Sequence, residues 1–262
     1  MAPTLWARQV TIVLAAAGSI LLGAAGSAFA LGDSPDVPRL VSFGGMCQNC
    51  GLAGRRLVGA KFIGANFAGA SLVGADLRGS SFIGSNFTGA DLAKADVRGA
   101  SMLGGNFLLA NFSDAKLAGL EAHAVLFLNA NFSRVTATCI DLSASNMTRA
   151  DAHEANFQRG NFTHATLING RFQGASFQNA KFEGANLTDA DFTGADFREA
   201  DLTGATLDGA TLSGANLQGA HNLTQHQLDG ACEDTRTRLP NGLSGHICSG
   251  HGRKRDFTDT AD

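Results

Sequence analysis

Residues 60–92 read AKFIGANFAGASLVGADLRGSSFIGSNFTGADL, a stretch in which every fifth residue is Phe or Leu. The same phase continues in both directions, and 34 positions at intervals of five run from Leu52 to Leu217. We call these positions the centres. An α-helix repeats every 3.6 residues and a strand every two, so a period of five fits neither. The spacing predicts a repeat protein in which each unit packs on its neighbours.

Two further positions of the unit are also regular. The residue two places before a centre is usually small, and the residue directly before it is usually polar. If each unit turns the chain by a quarter circle, the centres and the small residues point inward. A buried Leu or Phe contributes roughly 1.5–3 kcal/mol, so these centres can build a core. The phenylalanines that we predict in this core include Phe62, Phe67, Phe82, Phe87, Phe107, Phe127, Phe172 and Phe192.

A coil of twenty residues is supported by the order of the centres, because like residues follow like at that interval. One such column begins Phe67, Phe87, Phe107. Residues 120–152 are degenerate, since three centres are Ala and several small positions hold larger residues. We interpret this stretch as a distorted waist in which bulky neighbours fill the volume left by small centres. A functional kink is the alternative.

The units Ala65-Asn66-Phe67 and Ala75-Asp76-Leu77 resemble the motif A-(D/N)-(L/F)-x-x of the pentapeptide-repeat family. The resemblance covers residues 50–220. It implies an all-β fold, a right-handed quadrilateral parallel β-helix (a solenoid) with four pentapeptides per coil and short N- and C-terminal caps. Residues 31–49 would form the linker and first cap. Residues 221–250 would form the second cap, with a short helix, and residues 251–262 a disordered tail.

The helix in the second cap is predicted from a capping box, with Thr224 at the N-cap and Gln227 at N3. At the other end of the chain, residues 1–30 have the features of a signal peptide. Arg8 precedes a largely apolar run, and Ala28-Phe29-Ala30 is a small-x-small cleavage site. We therefore expect a periplasmic or secreted protein. The alternative is an inner-membrane anchor made by uncleaved residues 10–30.

Charge is distributed unevenly along the repeats. Residues 51–100 carry a balance of +3, and residues 182–220 carry seven acidic residues against one arginine. A solvated surface explains this simply. The sharper hypothesis is self-association, or docking of a basic partner, at the acidic end. The candidate interaction residues there are Asp191, Asp196, Glu199 and Asp201.

The five cysteines lie near the ends of the repeats, with one exception. In an oxidising compartment we expect two disulfides, Cys47–Cys50 and Cys232–Cys248, with Cys139 left free. A redox role for Cys47-x-x-Cys50 would need a βαβ context that the repeats do not provide. A zinc site is a second alternative, and it would use Cys232, His246, Cys248 and His251.

No Ser-His-Asp set, phosphate loop or zinc-protease motif is found in the sequence. We therefore expect a non-enzymatic exported rod without a cofactor that serves as a protein-interaction or structural module. Its partner would be a macromolecule, most simply a protein, with no nucleic acid and no membrane after signal cleavage. The alternatives are a DNA-mimicking topoisomerase inhibitor, as some members of the family are, and a metal or redox protein acting through its cysteine-bearing ends.

Overall fold

The computed structural model describes residues 41–43 and 45–247. The predicted signal peptide, most of the predicted linker, Cys248 and the predicted tail lie outside the described residues. The chain begins with three short strands, β1 (Val41–Phe43), β2 (Lys61–Ile63) and β3 (Ser81–Ile83), and one short helix, α1 (Gln225–Asp229), follows the repeats. The strands form a parallel sheet in the order β1-β2-β3.

Parallel bridges join residues twenty apart along the rest of the repeat region. They run from Met46–Asn66 to Asp201–His221. Nearly all centres donate their N–H to the next coil, as Phe67 does to the carbonyl of Asn86 at 2.7 Å. Four five-residue units therefore complete one coil, and the chain is a β-solenoid. Its length is on the order of 50 Å, since paired strands lie about 4.8 Å apart.

The core consists of the centres and the small residues beside them. All 34 centres from Leu52 to Leu217 are buried, and so are the eight phenylalanines predicted for the core. Most rings twenty residues apart are stacked with nearly parallel planes, with centroids 4.7 Å apart for Phe67 and Phe87. Rings five residues apart meet edge to face, as Phe62 and Phe67 do. Both arrangements are favoured between aromatic rings, so one apolar column fills the solenoid.

The degenerate stretch 120–152 keeps the register of the coils. Its bridges continue without a gap, for example between Leu126 and Asn146. Ile140 is buried at a small position, and one coil above it stands Gly160. A Cβ on Gly160 would lie 3.3 Å from Cγ2 of Ile140. The larger side chain thus uses space that glycine leaves free, which is the compensation that close packing requires.

The two ends of the described solenoid differ. At the start, β1 and the Met46 bridge already follow the twenty-residue register, so pairing begins before residue 50. At the end, α1 has the predicted capping box between Thr224 and Gln227. The amide of Gln227 donates to the carbonyls of Leu202 and Ala205 at 2.9 and 2.7 Å. The helix therefore satisfies backbone acceptors at the top of the last coil. Within residues 41–43 and 45–247, no helix is long and apolar enough to cross a bilayer.

Candidate interaction surfaces

Each coil has four corners, and every corner uses a residue with positive φ. These residues lie two places after each centre, from Asn49 to Gly219, with φ between +54° and +72°. Eighteen of these 35 corners are glycine and seventeen are other residues. Side chains rarely adopt this left-handed region because Cβ comes too close to the backbone. From the sequence we expected this position only to face solvent. The recurring Gly-Ala pair, as at Gly59-Ala60, could have indicated these left-handed corners.

The polar residue before each centre has a structural role. The side-chain oxygen of Asn or Asp accepts a hydrogen bond from the N–H two residues later, as Asn106 does from Leu108 at 3.1 Å. This local bond fixes the turn and explains the preference for Asn and Asp. Bonds between coils are also present. Nδ2 of Asn86 donates to Oδ1 of Asn66 at 3.2 Å.

Several surface charges are paired with near neighbours. Four Asp-x-Arg sequences form two-pronged ion pairs, including Arg78 with Asp76 and Arg98 with Asp96. The hydrogen bonds from these arginines lower the pKa of both carboxyls. Along one corner, Arg134 pairs with Asp114, one coil below, at 2.8 Å. Groups held in this way remain ionised at neutral pH and are not poised for proton transfer.

The four acidic residues singled out in the sequence lie around the perimeter. Asp191, Asp196 and Asp201 lie on three successive faces, and Glu199 lies at a corner, because five residues turn the chain by one face. Each has its own polar partner in the structure. Gln173 donates to Asp191 and Arg198 to Asp196, while His221 lies 3.3 Å from Glu199 and Asn222 donates to Asp201. The four carboxylates therefore do not converge on one site.

A shallow polar groove lies between the last coils and the C-terminal cap. Its volume is about 570 Å³, and Asp196, Asn216, Arg236 and Arg238 are among its lining residues. Partial burial would raise the pKa of Asp196, but hydrogen bonds from Arg198 and Gln178 lower it overall. Arg236 is engaged by Asp234 at 2.7 Å. The groove is open, and ion pairs hold both Asp196 and Arg236.

Within the part of the chain that is described, the cysteines expected to form disulfides are bonded and the one expected to be free is free. Cys47 and Cys50 form a disulfide at the first coil. Cys232 is also disulfide-bonded, and its predicted partner Cys248 lies outside the described residues. Cys139 is free and exposed at a corner. No group of three His, Cys, Asp or Glu side chains suited to a metal ion occurs within residues 45–247, and the predicted zinc ligands Cys248 and His251 lie beyond them.

One of the four faces differs from the others between residue 66 and residue 188. In this range none of the residues directly before or after its centres is charged. Its centres in this range run from Phe67 to Leu187 at intervals of twenty, and we call it the uncharged face. The next coil ends it with Asp208. The other three faces each carry several Asp, Glu, Lys or Arg residues. The residues flanking the centres of the uncharged face are Asn66, Ala68, Asn86, Thr88, Asn106, Leu108, Leu126, Leu128, Asn146, Thr148, Thr166, Ile168, Asn186 and Thr188.

The middle of this face carries a cluster of leucines, which we call the leucine cluster: Leu108, Leu109, Leu126 and Leu128. Leu126 is 47% exposed and Leu109, at the bordering corner, is 58% exposed. Leu108 and Leu128 are half-buried one coil apart. Exposed apolar patches on a soluble protein are typical of contact surfaces. The cluster was not predicted, although writing the sequence in rows of twenty would have shown it.

Comparison with known proteins agrees with this architecture. A family model described as pentapeptide repeats matches residues 56–93 and 90–121, and one described as a pentapeptide repeat region matches residues 145–221. The unmatched gap falls in the degenerate stretch. No curated protein matches the chain.

Solved structures with this fold include a trypsin-treated variant of QnrB1, a plasmid-mediated fluoroquinolone resistance protein. It is 21% identical with a TM-score of 0.50, and the match covers 65% of this chain and 90% of that one. HetL, involved in heterocyst differentiation regulation in Nostoc sp. strain PCC 7120, is 26% identical with a TM-score of 0.30, over 68% and 86% of the two chains. Since the two family models together match more than half of its length, the chain belongs to the pentapeptide-repeat family.

Proposed function

We propose that the chain is a non-enzymatic exported module that acts through its outer surface, by binding a protein or by giving structure. The observation that carries this proposal is the filled interior, in which all 34 centres are buried. Chemistry is thereby confined to the outside, where carboxylates pair with arginines. We also infer that the coil is right-handed and quadrilateral, as the family resemblance implies, and that the module needs no resident cofactor.

Export is supported by the pattern of residues 1–30 and by the disulfide between Cys47 and Cys50, since disulfides persist in oxidising compartments. The test is to fractionate bacterial cells that express the full chain and to determine the N-terminus of the product. A chain that starts at Leu31 in the periplasm or medium supports the proposal. A membrane-bound chain that retains residues 10–30 would favour the anchored alternative, and a cytosolic chain would contradict export.

The interaction role is tested by capture from periplasmic extract, under oxidising conditions, with the chain purified as cells process it. Lysine substitutions at equivalent positions on different faces provide the control set: Thr148→Lys on the uncharged face, with Gln158→Lys and Thr163→Lys on two others. Loss of a reproducible partner in one variant alone supports a docking face. Equal binding by all three variants would exclude these three faces as the docking face, and a catalytic turnover by the purified chain would contradict a non-enzymatic role.

The likeness to QnrB1 supports the fold alone, because the identity is 21%. A topoisomerase inhibitor that mimics DNA would need carboxylates arranged along one surface, whereas Asp191, Asp196 and Asp201 lie on three faces. Inhibition of a type II topoisomerase by the purified chain would nevertheless favour that alternative. Metal analysis of the same sample addresses the metal-binding alternative, for which stoichiometric zinc would be the supporting result.

A further inference from the structure

The leucine cluster contains two departures from the local pattern, and both carry a cost. Leu126 is the only apolar side chain among the residues that directly precede the 34 centres. Asn106 and Asn146, one coil below and one coil above, accept hydrogen bonds from the N–H groups of Leu108 and Thr148 at 3.1 and 3.0 Å. A leucine at 126 has no side-chain acceptor with which to make that bond.

The second departure is at the corner beside this face. Leu109 adopts φ +59° and is the only large apolar residue among the 35 corners, where the same corner is Gly89 one coil below and Asn129 one coil above. A bulky residue in the left-handed region is strained, and such strain is found where function requires a particular side chain. Two locally unfavourable choices thus place leucines on the same patch.

We infer that the uncharged face binds the same face of a second copy of this chain, forming a two-fold dimer centred on the leucine cluster. In a two-fold interface residue i meets residue j of the second copy and j meets i, so a charged face pairs well only if each charge has an opposite charge at the matching position. A face without charge avoids that requirement, and an apolar patch is complementary to itself. The three other faces carry charged side chains. The nearest charges, Arg149 and Asp189, lie at corners along one edge, and Asp208 lies beyond the last uncharged coil.

The backbone of this patch is held rigidly, which suits flat packing. Leu126 bridges Asn106 below and Asn146 above, and the N–H of Leu109 donates to the carbonyl of Leu128 at 3.0 Å. The face is about 30 Å long and about 10 Å wide, from the spacings of strands and residues. That footprint is smaller than the ~800 Å² per partner of a standard interface. We therefore expect a weak, transient dimer.

This inference rests on the proposed surface role and names the partner. Two substitutions remove these departures: Leu126→Asn introduces the residue found in both adjacent coils, and Leu109→Gly introduces the residue found at this corner in the coil below. We expect the double variant to associate at least tenfold more weakly while its melting temperature stays the same or rises. Thr148→Lys on the same face should also weaken the dimer. Val58→Thr, at an exposed apolar position, and Thr138→Lys, equivalent to Thr148, are the matched controls, and both lie on the opposite face.

Sedimentation velocity of the purified full chain, across low to high micromolar concentrations, is the measurement. A concentration-dependent dimer that is weakened in both uncharged-face variants, and retained in both controls, supports the inference. A wild-type chain that stays monomeric throughout, or a dimer that survives Leu126→Asn with Leu109→Gly, overturns it. A monomeric wild type that captures a different protein through the uncharged face also overturns it, while leaving the proposed function intact.

Discussion

The backbone N–H of Phe107 donates to the carbonyl oxygen of Leu126 at 2.7 Å, so a fully buried ring and a half-exposed leucine share one rung of the solenoid. This hydrogen bond connects the core to the surface. The inward residue belongs to the continuous aromatic column, and the outward residue belongs to the leucine cluster. Packing of the Phe107 ring in the core holds the backbone at this rung. The backbone that carries Leu126 is therefore held in place as well.

Replacing Phe87 or Phe172 with Asp should unfold the solenoid. Both rings are fully buried, and the change both leaves a cavity and buries an unpaired charge, which together cost more than about 5 kcal/mol. Asp91→Ser is the control. Asp91 accepts hydrogen bonds from Ala93 and Asn111, so its loss should cost about 1 kcal/mol. Urea denaturation followed by circular dichroism measures both. Wild-type stability in Phe87→Asp would show that the assigned phase is wrong.

The corners predict opposite effects for opposite substitutions. Ala144 has φ +54°, and Ala144→Gly should stabilise the protein by about 0.5–1 kcal/mol, because glycine adopts this region without strain. Gly194 has φ +68°, and a Cβ added there would meet nothing within 4 Å beyond its chain neighbours. Gly194→Ala therefore tests backbone strain alone and should destabilise by about 1 kcal/mol. The melting temperatures of the two variants, each compared with that of the wild type, test this prediction. Equal melting temperatures would argue against strained corners.

The ion pairs predict a loss of stability in acid. The hydrogen bond from Arg78 lowers the pKa of Asp76, and Arg98 does the same for Asp96. A carboxyl whose pKa is lower in the folded state stabilises the fold above its ordinary pKa, and this contribution is lost as pH falls through the folded value. The melting temperature should therefore fall below about pH 4.

The double variant Arg78→Gln, Arg98→Gln should flatten this acid dependence. Solvent screens each pair because its arginine is exposed, so the change should be modest. Arg149→Gln is the control, since Arg149 makes no ion pair within the described residues. If the melting temperature of the double variant falls as steeply with decreasing pH as that of the wild type, other groups cause the acid sensitivity.

Gln227 should be required for closure of the C-terminal coil. Its side chain donates to the carbonyls of Leu202 and Ala205 and completes the capping box with Thr224. Gln227→Ala leaves the carbonyl of Ala205 without a donor, while that of Leu202 keeps its bond from the N–H of Ala205, and the change should cost about 2 kcal/mol. Hydrogen exchange should then quicken in residues 202–217 before the middle of the rod is affected. Gln218→Ala, at an exposed side chain, should leave exchange unchanged, and equal exchange in the two variants would contradict this role in closure.

The parts of the fold that depend on period were predictable. The spacing of Phe67, Phe87 and Phe107 predicted both the twenty-residue coil and the buried column, and the residues at 224 and 227 predicted the capping box. The left-handed corners were harder to predict, because residues such as Leu109 and Arg134 occupy many of them in place of glycine. Backbone dihedral angles are set by closure of the coil, which no single unit encodes.

Surface organisation could not be read from proximity in the sequence. Asp191, Asp196 and Asp201 are close in the chain but lie on three faces, because each unit turns a corner. Leu108 and Leu128, by contrast, are twenty residues apart and lie one above the other. Residues of such a chain must therefore first be grouped by coil length. Once they are, the absence of charge on one face can be seen.

The most direct test of the uncharged face as the working surface is small-angle X-ray scattering of the purified chain at concentrations that favour association. We predict a particle with the mass of two chains, the length of one rod and a doubled cross-section, as face-to-face packing requires. A particle of doubled length and single cross-section would contradict this prediction by showing end-to-end association, and a single rod at every concentration would show that the face does not pair.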